Sequence, residues 1–409
     1  MVGAGISGLA SAWLLSRAHE VTLFEREGRL GGHAHTHSVA EGPEVRALDS
    51  GFIVYNHRTY PTFVRLLWEL GVRGRPSDMS FGVRCRPCGL EYSSRGLGGL
   101  FAQKTRALSP THLRLLADIP RFNRRARAFL AQEESDVTLG AFLDEGAYSR
   151  GFERHFILPM GAAIWSSPGR DIRRFRARSF LTFFANHGWL TLDGAPPWYT
   201  VEGGSRAYVL AIAQSFASPV RRGSAATRVT RGPGAVEIEA EREGGSFDAV
   251  VLATHADEAL ALLADPSDHE QRILSAFRYS KNPTVLHTDA RALPGARGAW
   301  ASWNCDLDDC RDLDAPVSIT YHLNRLQAFV SDTQYCVSLN RTVDEASVLA
   351  RMSYTHPVMD AAAVAAQKEL GCLSGTRDTF FAGAHLRHGF HEDGLRSAIA
   401  VAKGLGVAW

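Results

Sequence analysis

Gly3, Gly5 and Gly8, in MVGAGISGLASAWLL, have the G-x-G-x-x-G spacing that brings main chain up to a pyrophosphate. Gly3 permits a tight turn, Gly5 lets backbone approach the phosphates, and Gly8 lets a helix close on a strand. The helix that follows, through Ile6 and Ser7, aims its N–H donors at the anion. Glu25 comes 20 residues after Gly5. It ends the strand read in EVTLFERE, beside Arg26, where an acidic side chain accepts from ribose hydroxyls. Arg29, Gly31, Gly32 and His33, in EREGRLGGHAHTHS, form a second glycine turn after that strand. Together these residues predict a dinucleotide site.

Metal chemistry is weighed on two clusters. His33, His35 and His37 alternate and would share one strand face, but no acidic or cysteine partner is spaced to close a site. Cys85 and Cys88 form a C-x-x-C, and Cys305 and Cys310 are the other close pair. Zinc would need both pairs to meet across lobes, and neither has a ribbon's second knuckle. A redox C-x-x-C would start a helix after a strand, which Pro87 permits. The cysteines are read as free thiols, and no metal site is predicted.

The elements that must position these groups follow from pattern. LASAWLLSRA is a helix whose Ala10 and Ala12 allow close packing on a sheet. Only Met1 and Val2 precede the glycines, so most of the first strand is missing. The sequence as written is read as starting late, and is expected to hold its sheet less firmly and retain nucleotide poorly. WYTVEGGSRAYVLAIAQSF carries a Gly203-Gly204 turn into an amphipathic helix. AATRVTR, AVEIEAE and FDAVVLATHADEAL read as strand, strand, then buried strand and helix. DTFFAGAHLRHGFHEDGLRSAIAVAKGLG reads as buried strand, glycine turn, loop and a helix starting near Asp393-Gly394. These segments assign residues 1–70, 199–261 and 375–409 to a nucleotide lobe. Residues 71–198 and 262–374 form the other lobe. In it PTFVRLLWELGV (just before the boundary), HLRLLADIPRFNRRARAFLAQ and TLGAFLDEGAY read as helices, and NPTVLHTD, PVSITYHLNRLQ and YCVSLNR as strands.

A chain of 409 residues calls for two lobes. With 45% hydrophobic and 22% charged residues it has the composition of a globular protein, and a net charge of +2 gives no reason to expect nucleic acid. No apolar run reaches membrane-spanning length, and six cysteines without dense spacing suit a reducing cytoplasm.

The extension E-x-x-x-R-x-G-G formed by Glu25, Arg29, Gly31 and Gly32 resembles that of the amine oxidase and phytoene desaturase superfamily, which binds FAD. LDSGFIVYNHRTYPTF, LPMGAAIWSSP, FFANHGWL, VEGGSRAYV, LHTDARALP, TYHLNRLQ and GFHEDGLRSAIAVA are similar to one bacterial subgroup of NAD/FAD-binding, amine-oxidase-like proteins over nearly the whole chain. The resemblance implies an α/β fold: an FAD-binding, Rossmann-like lobe of glutathione-reductase type and an α+β substrate lobe. It implies that Val229 offers its backbone to adenine, and that Ala253 and Thr254 end the strand passing close to the flavin. His33 stands where an arginine often touches FAD. The N–H groups of Gly383 and Ala384 would meet the ribityl chain or pyrophosphate, Ala384 replacing the family's usual acidic residue. The last helix, with Asp393, Gly394 and Leu395, would aim its N-terminus at the flavin N1–C2=O edge. Its dipole, equivalent to roughly half a positive charge, favours the anionic reduced ring. The subgroup looks related to flavin-dependent desaturases of methyl-branched fatty acyl groups, including the furan fatty acid pathway. A dehydrogenase or desaturase of methyl-branched or unsaturated acyl chains is therefore expected, with a peroxide-releasing amine oxidase and a non-redox isomerase as alternatives.

For the base such chemistry needs, His391 is preferred for its place beside the flavin-facing turn, with Tyr321, His388 and Glu392 as further candidates. Lys281 is read as a surface residue. Trp165, Phe180, Phe183, Phe184, Trp189, Trp300 and Trp303, with no acidic anchor, suit an acyl chain better than a charged amine. The arginines of RRFRARSF and RFNRRARAF are read as solvated helix faces or as attraction for anionic lipid head groups. The expected partners are thus an apolar acyl substrate and the inner face of an anionic membrane, contacted peripherally from the cytoplasm.

Overall fold

The computed structural model describes residues 1–132, 137–165, 168–191, 195–216, 219–315 and 317–409. Ser166 and Ser167 of LPMGAAIWSSP lie outside the described residues, as does Pro316, where the strand read in PVSITYHLNRLQ begins.

A parallel sheet forms around a very short centre. Leu23–Glu25 pairs in parallel with Val220–Arg222, and Val250–Leu252 with Thr379–Phe381. Val2 bridges Phe24 on one side and Leu252 on the other. Four bonds of 2.8–2.9 Å fix it: Val2 N–H to Val251 O, Gly3 N–H to Phe24 O, Phe24 N–H to Met1 O, and Ala253 N–H to Val2 O. Two buried residues thus join the two strand pairs into one layer. Helix Ile6–Leu15 is buried at every position, and its small residues let it lie against helices Arg206–Ser215 and His391–Gly404.

An antiparallel sheet of Ala226–Gly232, Ala235–Ala240 and Gly245–Phe247 flanks this layer. Helices Asp268–Leu274 and Ala361–Glu369, assigned by sequence to the substrate lobe, bury Ile273, Leu274 and Ala363 in one core with Val2, Phe24, Val229 and Val250. These apolar faces close the nucleotide side of the layer.

The other lobe is built on a seven-stranded sheet, ordered Val348–Val358, Arg278–His287, Cys336–Leu339, Ser318–His322, Trp303–Leu307, Phe81–Cys85 and Leu90–Ser93. Its pairs are antiparallel except Trp303–Leu307 with Phe81–Cys85. Helices Pro110–Leu130, Leu139–Glu145 and Ala177–Asn186 pack around Phe122, Phe142, Phe152, Phe180 and Phe184. Ser109 and Thr138 cap the first two with hydroxyl acceptors. Much of the arginine charge is paired inside this layer: Arg121 on Asp118, Arg125 on Glu145, Arg173 on Asp144 and Glu153, and Arg174 on Asp171. Among the described residues no helix is long and apolar enough to cross a membrane.

Candidate cofactor site

The two glycine corners touch through their backbones. Gly3 takes a φ of +93°, and a Cβ on Gly8 would fall 1.8 Å from the Gly3 carbonyl oxygen. Gly31 N–H donates to Ala4 O at 2.8 Å, and a Cβ on Gly32 would lie 3.1 Å from Gly5 Cα. Arg29 holds the second corner by donating to Gly32 O at 2.7 Å. Glu25 closes the first by accepting from Ala4 N–H and Glu27 N–H, both at 2.8 Å. Ala253 packs on this turn, its oxygen 2.8 Å from the place a Gly3 Cβ would take, with Thr254 behind it.

Helix Ile6–Leu15 begins with no side-chain cap and no acidic residue in its first turn. Its N-terminal dipole is left for an external anion. The last helix meets it there: a Cβ on Gly394 would come 2.8 Å from Ser7 Oγ and 2.9 Å from Ile6 Cγ2. Asp393 accepts from Phe390 N–H at 3.0 Å, Leu395 is buried, and Gly383 N–H donates to Ser397 Oγ at 2.9 Å. Two helix N-termini, four strand ends and both corners therefore converge.

Around the second corner lies a shelf of imidazoles and phenols that the sequence did not reveal. The His33 ring stands 5.1 Å from Tyr354, 5.6 Å from His356 and 6.4 Å from His255. His255 stacks on Tyr279 at 4.2 Å, and Tyr279 faces His385, two residues past Gly383. Burial pushes His356 down to about 4 and His385 to about 3, and holds His33 well below the ordinary imidazole range. All are neutral at pH 7. The Nε2 atom of His33 is buried without a partner.

Asp49 is a second residue that sequence reasoning missed. It accepts from Thr36 Oγ1 at 2.6 Å, Ser205 Oγ at 2.8 Å and Ser205 N–H at 3.0 Å, and Gln327 Nε2 donates to it at 3.2 Å. It thereby fixes the Gly203-Gly204 turn that starts helix Arg206–Ser215.

Several expected residues stand elsewhere. Val229 lies in the flanking sheet, with its side chain buried and its carbonyl accepting from Ala264 N–H at 2.9 Å. The strand alongside Glu25 is Val220–Arg222, with Arg222 opposite Glu25. Arg26 points outward to Glu258. His391 is not a free base: its ring stacks on Phe52 at 3.7 Å and its Nε2 meets the Tyr208 hydroxyl at 2.6 Å. Burial pushes it down to about 3, far too weak for general base work near neutrality. Glu392 accepts from Thr62 and Phe63 N–H and pairs with Arg396, and His388 is exposed. Tyr321 sits in the seven-stranded sheet, its ring 5.0 Å from Trp303, and burial raises its phenol. Lys281 is exposed.

The expected aromatics divide into two groups. Phe183 stacks on Phe390, at the entry to the last helix, at 5.1 Å, and contacts Trp165, His187 and Trp189. Trp303 belongs to the sheet, beside Tyr321, and Trp300 precedes that strand, beside His322.

The cradle from which Cβ atoms are excluded, the uncapped helix start and the unpartnered His33 Nε2 all fit the anionic centre of a dinucleotide. Residues 6–287 match the family described as flavin containing amine oxidoreductase. AofH of Mycobacterium tuberculosis, which carries the name flavin-containing monoamine oxidase, is 26% identical over 281 residues, 65% of this chain and 58% of AofH. The chain thus spans less than two thirds of that relative. Among solved structures, the CLA-producing fatty acid isomerase from P. acnes superposes with a TM-score of 0.67 at 16% identity, covering 98% of this chain and 97% of that one. Putrescine oxidase bound to putrescine gives 0.66 at 14%, covering 99% and 97%. Likeness at such identities speaks for the amine-oxidase-like fold alone. The chain belongs to the flavin containing amine oxidoreductase family, and its cofactor is FAD.

Proposed function

We propose that the chain is an FAD-dependent oxidoreductase that removes hydride from an apolar acyl substrate, as a dehydrogenase or desaturase of methyl-branched or unsaturated fatty acyl chains. One observation carries this reading. Among the described residues, the carboxylates around the corners are engaged: Glu25 by Ala4 and Glu27, Asp49 by Thr36, Ser205 and Gln327, Glu392 by Thr62, Phe63 and Arg396, and Asp393 by Phe390. None of them is left to hold an ammonium group, whereas Phe183, Trp189 and Phe390 form an uncharged wall at the entry to the last helix.

FAD, when bound, accepts the hydride; the protein supplies position and electrostatics. Gly3, Gly5, Gly8 and the start of helix Ile6–Leu15 would hold its pyrophosphate, with Glu25 at the ribose and His33 Nε2 as the donor beside the second corner. The first turn of the last helix, at Asp393, Gly394 and Leu395, would face the ring. With His391 bound to Tyr208, the shelf places further imidazoles near the corners, all held neutral by burial. Their neutrality keeps charge away from an apolar substrate.

The names of AofH and putrescine oxidase favour a second reading, amine oxidation with release of hydrogen peroxide, and that of the P. acnes isomerase a third, movement of a double bond without net oxidation. Anaerobic flavin bleaching separates them. The expected result is loss of the oxidised flavin absorbance with a methyl-branched or unsaturated fatty acyl substrate, free or in phospholipid, and none with putrescine or other amines. Bleaching by amines alone would overturn the proposal in favour of the second reading. An acyl product with a shifted double bond and no lasting bleaching would favour the third.

A further inference from the structure

The strands Phe81–Cys85 and Leu90–Ser93 are joined by Arg86, Pro87, Cys88 and Gly89. Gly89 takes a φ of +57°, and its N–H donates to Arg86 O at 3.2 Å, folding Cys88 back over Cys85. The parallel pairing of Phe81–Cys85 with Trp303–Leu307 sets Leu307 opposite Cys85. The chain leaving Leu307 therefore passes over the same turn and brings Cys310 to it. From the helical layer a single π-helical turn, Glu153–Ile157, delivers His155, whose carbonyl accepts from the Tyr92 hydroxyl at 2.7 Å. π turns of this kind occur frequently at functional sites.

The outcome is four ligand atoms, one each from Cys85, Cys88, Cys310 and His155, all within 4.8 Å of one another. The Sγ atoms of Cys88 and Cys310 are 3.6 Å apart. Zn–S bonds of about 2.3 Å give a tetrahedral edge of about 3.8 Å, whereas a disulfide requires about 2.0 Å. His155 is buried, and its Nε2 has no hydrogen-bond partner. An imidazole nitrogen shut away from water and unsatisfied is unfavourable unless something binds it.

We propose that Cys85, Cys88, Cys310 and His155 form a Cys3His tetrahedral site for a zinc ion. Three thiolates around one divalent ion leave a single negative charge, which Arg154 and Arg311 face from the cleft above, while Arg106 donates to Cys88 O at 2.8 Å. Four protein ligands leave no open position, so the ion is structural rather than catalytic. It pins the strand turn, the helical layer and the loop after Leu307, linking cysteines 222 positions apart. Each thiol releases its proton on binding, and no electron is transferred. This replaces the expectation of free thiols at three of the six cysteines. Both pairs do not meet, however: Cys305 lies opposite Val83, deeper in the sheet, and His155 takes the fourth place.

Untagged protein purified without chelator is expected to carry about one zinc per chain by mass spectrometry of the metal. Cys88→Ser and Cys310→Ser should each lower zinc content by ~5-fold or more, whereas Cys372→Ser, at an exposed cysteine outside the cluster, should retain it. Should the cluster variants fail to fold, the wild-type chain decides alone. Grown in cobalt(II), it should show thiolate-to-metal charge transfer and the long-wavelength bands of tetrahedral cobalt, beyond flavin absorption. Protein without zinc, with freely titrating thiols, with a Cys88–Cys310 disulfide by mass, or with iron in the site would overturn the assignment.

Discussion

Gly8→Ala is expected to give a protein that purifies colourless and unfolds well before the parent. The added Cβ would sit 1.8 Å from the Gly3 carbonyl oxygen and 3.2 Å from the Ala253 Cβ. Neither is the loose end of a flexible side chain, so the first helix must move away from the sheet. Overpacking of this kind costs on the order of 3 kcal/mol. The displacement also moves the N–H groups that would meet the pyrophosphate, so the stabilisation contributed by bound cofactor is lost as well. Flavin absorbance per chain should fall more than ~10-fold, which corresponds to about 1.4 kcal/mol in binding. Gly28→Ala is the control, because a Cβ there meets nothing within 4 Å. A Gly8→Ala protein that retains flavin and its melting temperature would contradict the packing described.

Lowering the pH from 7 to 5 is expected to unfold much of the protein. His187, His287 and His322 are pushed down to about 4, and His385 and His391 to about 3, in each case chiefly by burial. All five are buried. His287 shows the local reason: its Nδ1 accepts from Asp289 N–H at 3.1 Å, so its Nε2–H donates to Ser338 Oγ at 2.8 Å, and the ring has no room for a second proton. These folded-state values lie below the unfolded value near 6.5, so the unfolded chain takes up protons first. The neutral rings contribute full stability above about pH 6.5, and it is lost as pH falls toward the folded values. At pH 5 the loss is about 2 kcal/mol for each ring, and a few such terms exhaust a stability of about 5–15 kcal/mol. Asp49 acts in the opposite sense: burial raises it to about 6, so its contribution is present at low pH and lost as pH rises through that value. One carboxyl does not offset five imidazoles. Urea midpoints at pH 7, 6 and 5 should fall steadily; equal midpoints at pH 7 and 5 would contradict the buried neutral state of these rings.

What the sequence disclosed was the local part of the site. Both glycine corners lie within the first 32 residues, and the fold joins them through the Gly5–Gly31 bridge. The parts that were not legible depend on strand register. Two short strands, Val220–Arg222 and Ala226–Gly232, follow one another with similar composition, and only the parallel pairing of Val220 with Leu23 shows which one runs beside Glu25. The last helix, read as starting near Asp393-Gly394, starts at His391, and helix phase turns the His391 ring toward Phe52 and Tyr208. The imidazole shelf draws His33, His255, His356 and His385 from four separated segments, a meeting no spacing rule encodes. The Phe81–Cys85 strand buries Phe81, Gly82, Val83 and Cys85, yet Gly82 and a polar turn hid it within a segment read as mostly helical.

The claim on which the rest depends is that the paired corners and the two helix N-termini around them hold one FAD. The most direct test is the absorbance spectrum and FAD titration of the purified chain, with cofactor identified after denaturation. About one FAD per chain, carried through purification or taken up on titration, is predicted, released intact on unfolding. A folded protein that is colourless and takes up no added FAD would contradict it.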